Sequence, residues 1–119
     1  MSDESLPNEI AGRPLTPIEK RLLCFLLKKA DIIKSKAWLD ALFVKPMRDG
    51  GMGSLRILPE YPDQSFGRRA SDLRILDKDG VPVVVSLNLD SMGNPFELDV
   101  WKVDFSPVIG LDIESISNI

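Results

Sequence analysis

From Ile18 to Ala30 the apolar residues recur at the spacing of one helical face, and beyond Val44 they switch to alternation. The helical stretch opens on Thr16-Pro17-Ile18-Glu19. Threonine can cap the free amides, proline suits the first turn, and glutamate can reach back to complete a capping box. At about 100° per residue, Ile18, Leu22, Leu23, Phe25, Leu26, Leu27 and Ala30 fill one wide arc, and Lys20, Arg21, Cys24 and Lys28 face the other way. Cys24 is thus expected on the polar side. Lys29 falls inside the apolar arc, which predicts a snorkelling side chain or the approach of the helix end. Asp31–Ser35 breaks the pattern, and a shorter helix over about Lys36–Phe43 turns Trp38, Leu39 and Leu42 toward the core.

Five strands follow on the same reasoning: Val44–Met47, Ser54–Leu58, Ser71–Leu76, Val81–Leu89 and Phe96–Phe105. The connection Arg48–Gly53 and the turns Asp77–Gly80 and Asp90–Asn94 are too short for parallel crossovers, so the strands pair as antiparallel hairpins. Tyr61–Arg69, marked by Pro59 and Pro62, reads as a loop. Val81, Val83, Val85, Leu87 and Leu89 make one inward face, and the half-apolar segment Ser106–Ile119 is expected to cover a sheet edge. The predicted fold class is α+β: two N-terminal helices packed on a five-stranded, mostly antiparallel sheet. Residues 1–12 are expected to form a flexible acidic tail, and residues 13–119 a single domain.

Composition narrows the chemistry more than the fold. The chain of 119 residues has no histidine and one cysteine. That excludes histidine-dependent nucleophilic triads, imidazole metal sites, cysteine-built zinc cages and internal disulfides. A cytoplasmic, reducing location follows as the expectation. No apolar run approaches the ~20 residues of a membrane span, and the acidic start is unlike a signal peptide. The net charge of −3 is unevenly spread. Nine Lys/Arg against three Asp/Glu lie in residues 13–48, and six against twelve in residues 49–119. The basic helix face lacks interleaved aromatics and the whole is acidic, which argues against nucleic acid.

Two stretches carry candidate chemistry. In the first, Asp49-Gly50-Gly51-Met52-Gly53-Ser54, the glycines permit a backbone nest for an anion, with Arg48 and Arg56 flanking it and Arg68 and Arg69 downstream. It is not a Walker loop, because Gly-Lys-Ser/Thr is missing and a strand follows instead of a helix. Its plainest role is a wide hairpin turn. In the second, Glu97, Asp99, Trp101, Val103 and Phe105 share one strand face, opposite Phe96, Leu98, Val100, Lys102 and Asp104. Neither face is wholly apolar, which predicts a β-bulge near Trp101. Carboxylates beside an aromatic suit a surface for a basic protein partner, with Glu97, Asp99, Trp101 and Asp104 as its residues. A nuclease-like Asp with (Asp/Glu)-x-Lys fails by one residue, since Asp99 and Lys102 point to opposite faces. The Asp77–Gly80 and Asp90–Asn94 turns lack the spaced oxygens and terminal glutamate of a calcium loop.

Arg13-Pro14-Leu15-Thr16, Asp49-Gly50-Gly51-Met52-Gly53-Ser54-Leu55, Asp77-Lys78-Asp79-Gly80-Val81-Pro82-Val83 and Glu97-Leu98-Asp99-Val100-Trp101-Lys102-Val103-Asp104-Phe105-Ser106-Pro107 together resemble a family of small bacterial proteins of unknown function. The resemblance spans about residues 13–108. It implies a stand-alone cytoplasmic bacterial protein and brings no activity; in size and acidity it is similar to toxin-neutralising immunity proteins. The first-ranked reading is a non-enzymatic protein-binding module using Glu97, Asp99, Trp101 and Asp104. The alternatives are a metal- or phosphate-dependent enzyme using Asp49, Glu97, Asp99 and Lys102, and a small-ligand sensor using Asp49, Gly50, Gly51, Met52, Gly53, Ser54 and Arg56. No cofactor or metal is expected, and a homodimer through Phe96–Phe105 as an edge strand is a further alternative.

Overall fold

The structure, a computed structural model, describes residues 12–117. Apart from Gly12, the expected acidic tail lies outside the described residues. The elements are β1 (Arg13–Pro14), α1 (Pro17–Lys29), α2 (Lys36–Asp40), β2 (Phe43–Pro46), β3 (Leu55–Ile57), β4 (Phe66–Asp77), β5 (Pro82–Asp90), β6 (Pro95–Lys102) and β7 (Leu111–Ser117). All seven strands form one antiparallel sheet in the order β1-β2-β3-β6-β5-β4-β7. The α+β class and antiparallel pairing agree with the sequence reading, but the strand count is seven, not five. β1 is too short to show a period. β7 was anticipated only as a segment covering an edge, and it does so by pairing with β4 through Arg74↔Ser117, Leu76↔Asp112 and Asp77↔Leu111.

The start of α1 is built as its sequence implies. Glu19 N–H donates to Thr16 Oγ1 at 3.2 Å, and Glu19 Oε1 accepts from Thr16 N–H at 2.9 Å. Arg13 grips the same carboxylate with two bonds of 2.8 and 2.9 Å, tying the helix to β1. Leu22, Leu23, Leu26 and Leu27 are buried against Leu73, Ile75, Val83, Val85 and Leu87 of the sheet. This apolar burial supplies the main drive to pack the helix. Two polar contacts fix the docking: Ser71 Oγ donates to the Leu26 carbonyl at 2.7 Å, and Lys29 Nζ donates to the Asp72 carbonyl. Lys29 is thus the final residue of α1 reaching the sheet, and Cys24 is exposed as expected.

Further expectations are corrected. α2 stops at Asp40, with Trp38 and Leu39 half-buried and only Leu42, beyond it, fully inside. β4 begins at Phe66, so part of the presumed Tyr61–Arg69 loop is strand; register shifts between Phe66 and Arg68 and between Arg69 and Ser71 erase its period. β6 lies between β3 and β5, so Phe96–Phe105 is no edge, and its strand ends at Lys102. Its bulge falls at the opposite end from Trp101, where the β5 register shifts between Asn88 and Leu89.

The sheet consists of two groups of strands with a narrow seam, and in the second group β7 returns past β5 and β6 to lie beside β4 in Greek-key order. One comprises β1, β2 and β3, the other β6, β5, β4 and β7. Among the described residues the strand pairing that joins them is Leu55↔Leu98 and Arg56↔Glu97. Ser54 extends this short ladder with its side chain: its hydroxyl accepts the Val100 N–H at 2.8 Å and lies 3.3 Å from the Val100 carbonyl. The helices cover one sheet face, and the other carries Arg56, Glu97, Asn88, Asp99, Ser86, Trp101 and Val84.

Candidate functional site

The glycine-rich connection between β2 and β3 folds toward the helix side. Gly50, Gly51 and Gly53 have φ of 72°, 83° and 98°, a region glycine enters without steric cost. The amides this conformation gathers are directed at the loop's own first residue. Asp49 Oδ1 accepts from Met52 N–H at 3.1 Å and more weakly from Gly53 N–H at 3.4 Å, while Oδ2 accepts from Ser54 N–H at 2.7 Å. Burial favours the neutral acid, but these amides outweigh it and hold the Asp49 carboxyl below the usual carboxylate range. The nest is filled from within.

Arg56 stands on the opposite sheet face from that loop. Its guanidinium bonds Glu60 at 2.9 Å and Glu97 at 3.0 and 3.2 Å, and lies 4.4 Å from the centre of the Phe96 ring. The sequence-predicted loop residues are therefore divided: Gly51, Met52 and Gly53 border a cleft beside Ile18, Glu19 and Leu22 of α1, Ser54 bonds β6, and Arg56 belongs to the outer face. Ser54 is the loop residue with the clearest structural duty. Ser54→Ala leaves the buried Val100 N–H without its acceptor, so about 1–3 kcal/mol of stability should be lost. Urea unfolding measures the loss, and faster exchange of the Val100 amide locates it.

The second predicted group is only partly brought together. Glu97 is engaged by Arg56 and by Asn88 Nδ2 at 3.2 Å. Asp99 and Asp104 form no salt bridge among the described residues. Asp104 folds back on Ser106, accepting its amide at 3.0 Å and its hydroxyl at 2.6 Å, and these bonds lower its carboxyl from the ordinary value. Trp101 and Phe105 remain 43% and 69% exposed, with ring centres 5.9 Å apart and planes tilted by 56°. Beside them the cross-strand registers align Leu76 with Pro82, Arg74 with Val84, and Val84 with Trp101, while Val103 N–H donates to the Pro82 carbonyl at 3.0 Å. One end of the open face is therefore an apolar patch of Leu76, Val84, Trp101, Val103 and Phe105, rimmed by Asp99, Asp104 and Arg74. Leu76 and Val84 were absent from the predicted set because only the β4–β5–β6 register makes them neighbours of Trp101.

A second cluster lies across β6 from Trp101. The Lys102 side chain is fully enclosed and bonds Asp77 Oδ2 and Asp79 Oδ2 at 2.7 Å each, with the Pro107 carbonyl at 3.3 Å. Asp77 also accepts from Lys78 N–H at 2.8 Å, Ile109 N–H at 2.8 Å and Gly110 N–H at 2.7 Å. Burial alone would favour neutral Asp77, yet Lys102 and the three amides hold its carboxyl far below the ordinary range. Burial likewise disfavours the Lys102 cation, and the two aspartates reverse that effect and raise its pKa. The sequence carried a signal for this: Lys102 occupies the same alternating face as the apolar Leu98 and Val100. A lysine there requires carboxylates nearby, and Asp77-Lys78-Asp79 offers them.

Asp49, Glu97, Asp99 and Lys102, grouped for metal or phosphate chemistry, thus do not converge: Glu97 and Asp99 share the outer sheet face, Asp49 binds the amides of its own loop, and Lys102 is enclosed with Asp77 and Asp79. Among the described residues no three His, Cys, Asp or Glu side chains gather as a metal site, and no helix is long and apolar enough to cross a membrane. Comparison with known proteins finds no matching curated protein and no matching solved structure. The family model described as "Domain of unknown function (DUF6984)" matches residues 12–112, which span β1 through the start of β7, and the chain belongs to that family.

Proposed function

We propose that the protein is a non-enzymatic binding module whose contact surface is the open sheet face around Trp101 and Phe105. The observation that carries this reading is the pair of exposed rings at 5.9 Å, extended by Val103, Leu76 and Val84 into a continuous apolar patch. Aromatic anchors ringed by polar groups are the usual source of binding energy at protein interfaces. Asp99 and Asp104 at the rim form no salt bridge within the described residues, so the partner is a protein segment presenting apolar side chains flanked by Lys or Arg. The reading departs from the sequence-based one in giving Glu97 an internal role, since Arg56 and Asn88 occupy it. A bacterial, cytoplasmic, immunity-like setting belongs to the same proposal. The exposed free thiol of Cys24 supports a reducing compartment.

The test starts with affinity capture by the tagged wild-type domain and ends with binding measured between purified proteins. Trp101→Ala is expected to weaken a true partner by about tenfold or more. Asp99→Lys should reduce the association rate and its dependence on salt, with circular dichroism unchanged. A partner that binds both variants as tightly as the wild type overturns the assignment of this face. Self-association through a sheet edge would appear separately, as a concentration-dependent mass in light scattering.

A further inference from the structure

The end of α1 presents an isoleucine to water. The helix closes in a Schellman motif with Asp31 in the left-handed region at φ 60°. Asp31 N–H donates to the Lys28 carbonyl at 3.1 Å, and Ile32 N–H donates to the Leu27 carbonyl at 2.9 Å. This closure packs Ile32 against the core and leaves Ile33 94% exposed. The same two bonds fix the backbone beneath Ile33, which lowers the ordering cost of burying it against another surface. Lys28 and Lys34 border one shallow hollow with Ile33. Neither lysine forms a salt bridge among the described residues, and nor does Asp31. A single exposed isoleucine is ordinary on a protein surface. What sets Ile33 apart is its match to the opposite side of the molecule.

We infer that the occupant of the Trp101 face is a second copy of this chain, seating its Ile33 against Trp101 and Phe105. The inference rests on the reading of that face as a binding surface, which calls for an apolar side chain flanked by Lys or Arg. Lys28 through Lys34 is such a segment, and residues 20–40 hold six Lys/Arg against two Asp. The charges also correspond. Two cations and one carboxylate, Lys28, Lys34 and Asp31, surround Ile33; two carboxylates and one cation, Asp99, Asp104 and Arg74, rim the aromatic patch. Opposite signs brought together in this way favour the matching register and penalise others. The helices cover one face of the sheet and Trp101 stands on the other, so the contact is between copies. Each contact leaves one surface of each kind free, and association therefore continues beyond two copies unless it closes a ring.

The experiment is sedimentation equilibrium of the full-length protein at concentrations rising to about 1 mM. The wild-type mass is expected to increase with concentration, and less so in high salt. Ile33→Glu and Trp101→Ala should each weaken the association about tenfold or more. An equimolar mixture of the two variants should form a one-to-one pair and stop there, because one retains the aromatic face and the other retains Ile33. A wild-type monomer throughout the range overturns the inference, as does association that survives Ile33→Glu or a mixture that stays monomeric. Pairing through a sheet edge would survive both variants. Ile33 is almost wholly exposed, so its replacement does not threaten the fold, and Asp99→Lys serves if Trp101→Ala fails to fold. The two readings fail differently. A monomer that still binds a foreign partner through Trp101 overturns self-pairing alone, whereas foreign partners indifferent to Trp101→Ala overturn the sheet face itself.

Discussion

Replacing Lys102 with methionine is expected to lower the melting temperature by about 10 °C or more, because breaking a buried pair leaves an uncompensated charge. The side chains of Lys102 and Asp77 are both fully enclosed, so no water replaces the lost partner. The damage also spreads. Asp77 binds Lys102 and the amides of Ile109 and Gly110, so the same carboxylate anchors the end of β6 and the entry to β7. Asp77→Asn should be similarly harmful, while the double variant Asp77→Asn/Lys102→Met should lose less than the sum of the two. The pH dependence has a definite sign on each side. Asp77 is lowered from an ordinary value of 3.8, so its contribution is complete above that value and is lost as pH falls toward the folded pKa. Lys102 is raised from 10.5, so its contribution is complete below that value and is lost as pH rises through the folded pKa. Wild-type stability should fall at both extremes, and the double variant should show a flatter profile. Thermal melts across pH give both curves.

Gly67→Val is expected to destabilise the protein by about 2–3 kcal/mol through overpacking. A Cβ at Gly67 would lie 2.3 Å from the Asp90 carbonyl oxygen and 2.6 Å from its carbon, and both atoms are backbone. Neither can rotate aside as a side chain would. The turn beyond cannot yield easily either: Asp90 Oδ1 accepts the Met92 and Asn94 amides at 2.9 Å each, and Oδ2 accepts Gln64 Nε2 at 3.0 Å. The first residues of β4 should therefore detach from β5. Hydrogen exchange would show this as lost protection at Ser91 N–H, which donates to the Ser65 carbonyl, with the Leu73–Leu76 amides unaffected. Unchanged stability in urea would mean that the approach of Gly67 to Asp90 relaxes at no cost.

The local signals in the sequence translated well into structure where one element decided them. Thr16 through Glu19 capped α1, and Val83, Val85, Leu87 and Leu89 formed an inward face. What escaped were features set by partners distant in the chain. β1 is a strand only because Arg13 and Pro14 lie beside Val44 and Phe43. Phe66–Ala70 joins β4 through two register shifts that no periodic reading anticipates. The candidate site divides in the same way. Alternation placed Glu97, Asp99 and Trp101 on one face correctly, but it could not show that Arg56 would occupy Glu97. Nor could it show that Asp49 would consume the amides of its own loop. Both outcomes depend on hydrogen-bond competition in three dimensions, and neither spacing nor composition reports that.

The narrow ladder between β3 and β6 divides the molecule into two units of different cooperativity. β4, β5 and β6 are joined by tight turns, and α1 packs on the first two, so this part forms from contacts close in sequence once the helix docks. Attachment of β1, β2 and β3 instead requires closing a long loop for the backbone pairs Leu55↔Leu98 and Arg56↔Glu97. Native-state exchange should accordingly resolve two foldons, with amides of β2 and β3 opening at lower free energy than those at the centre of β5.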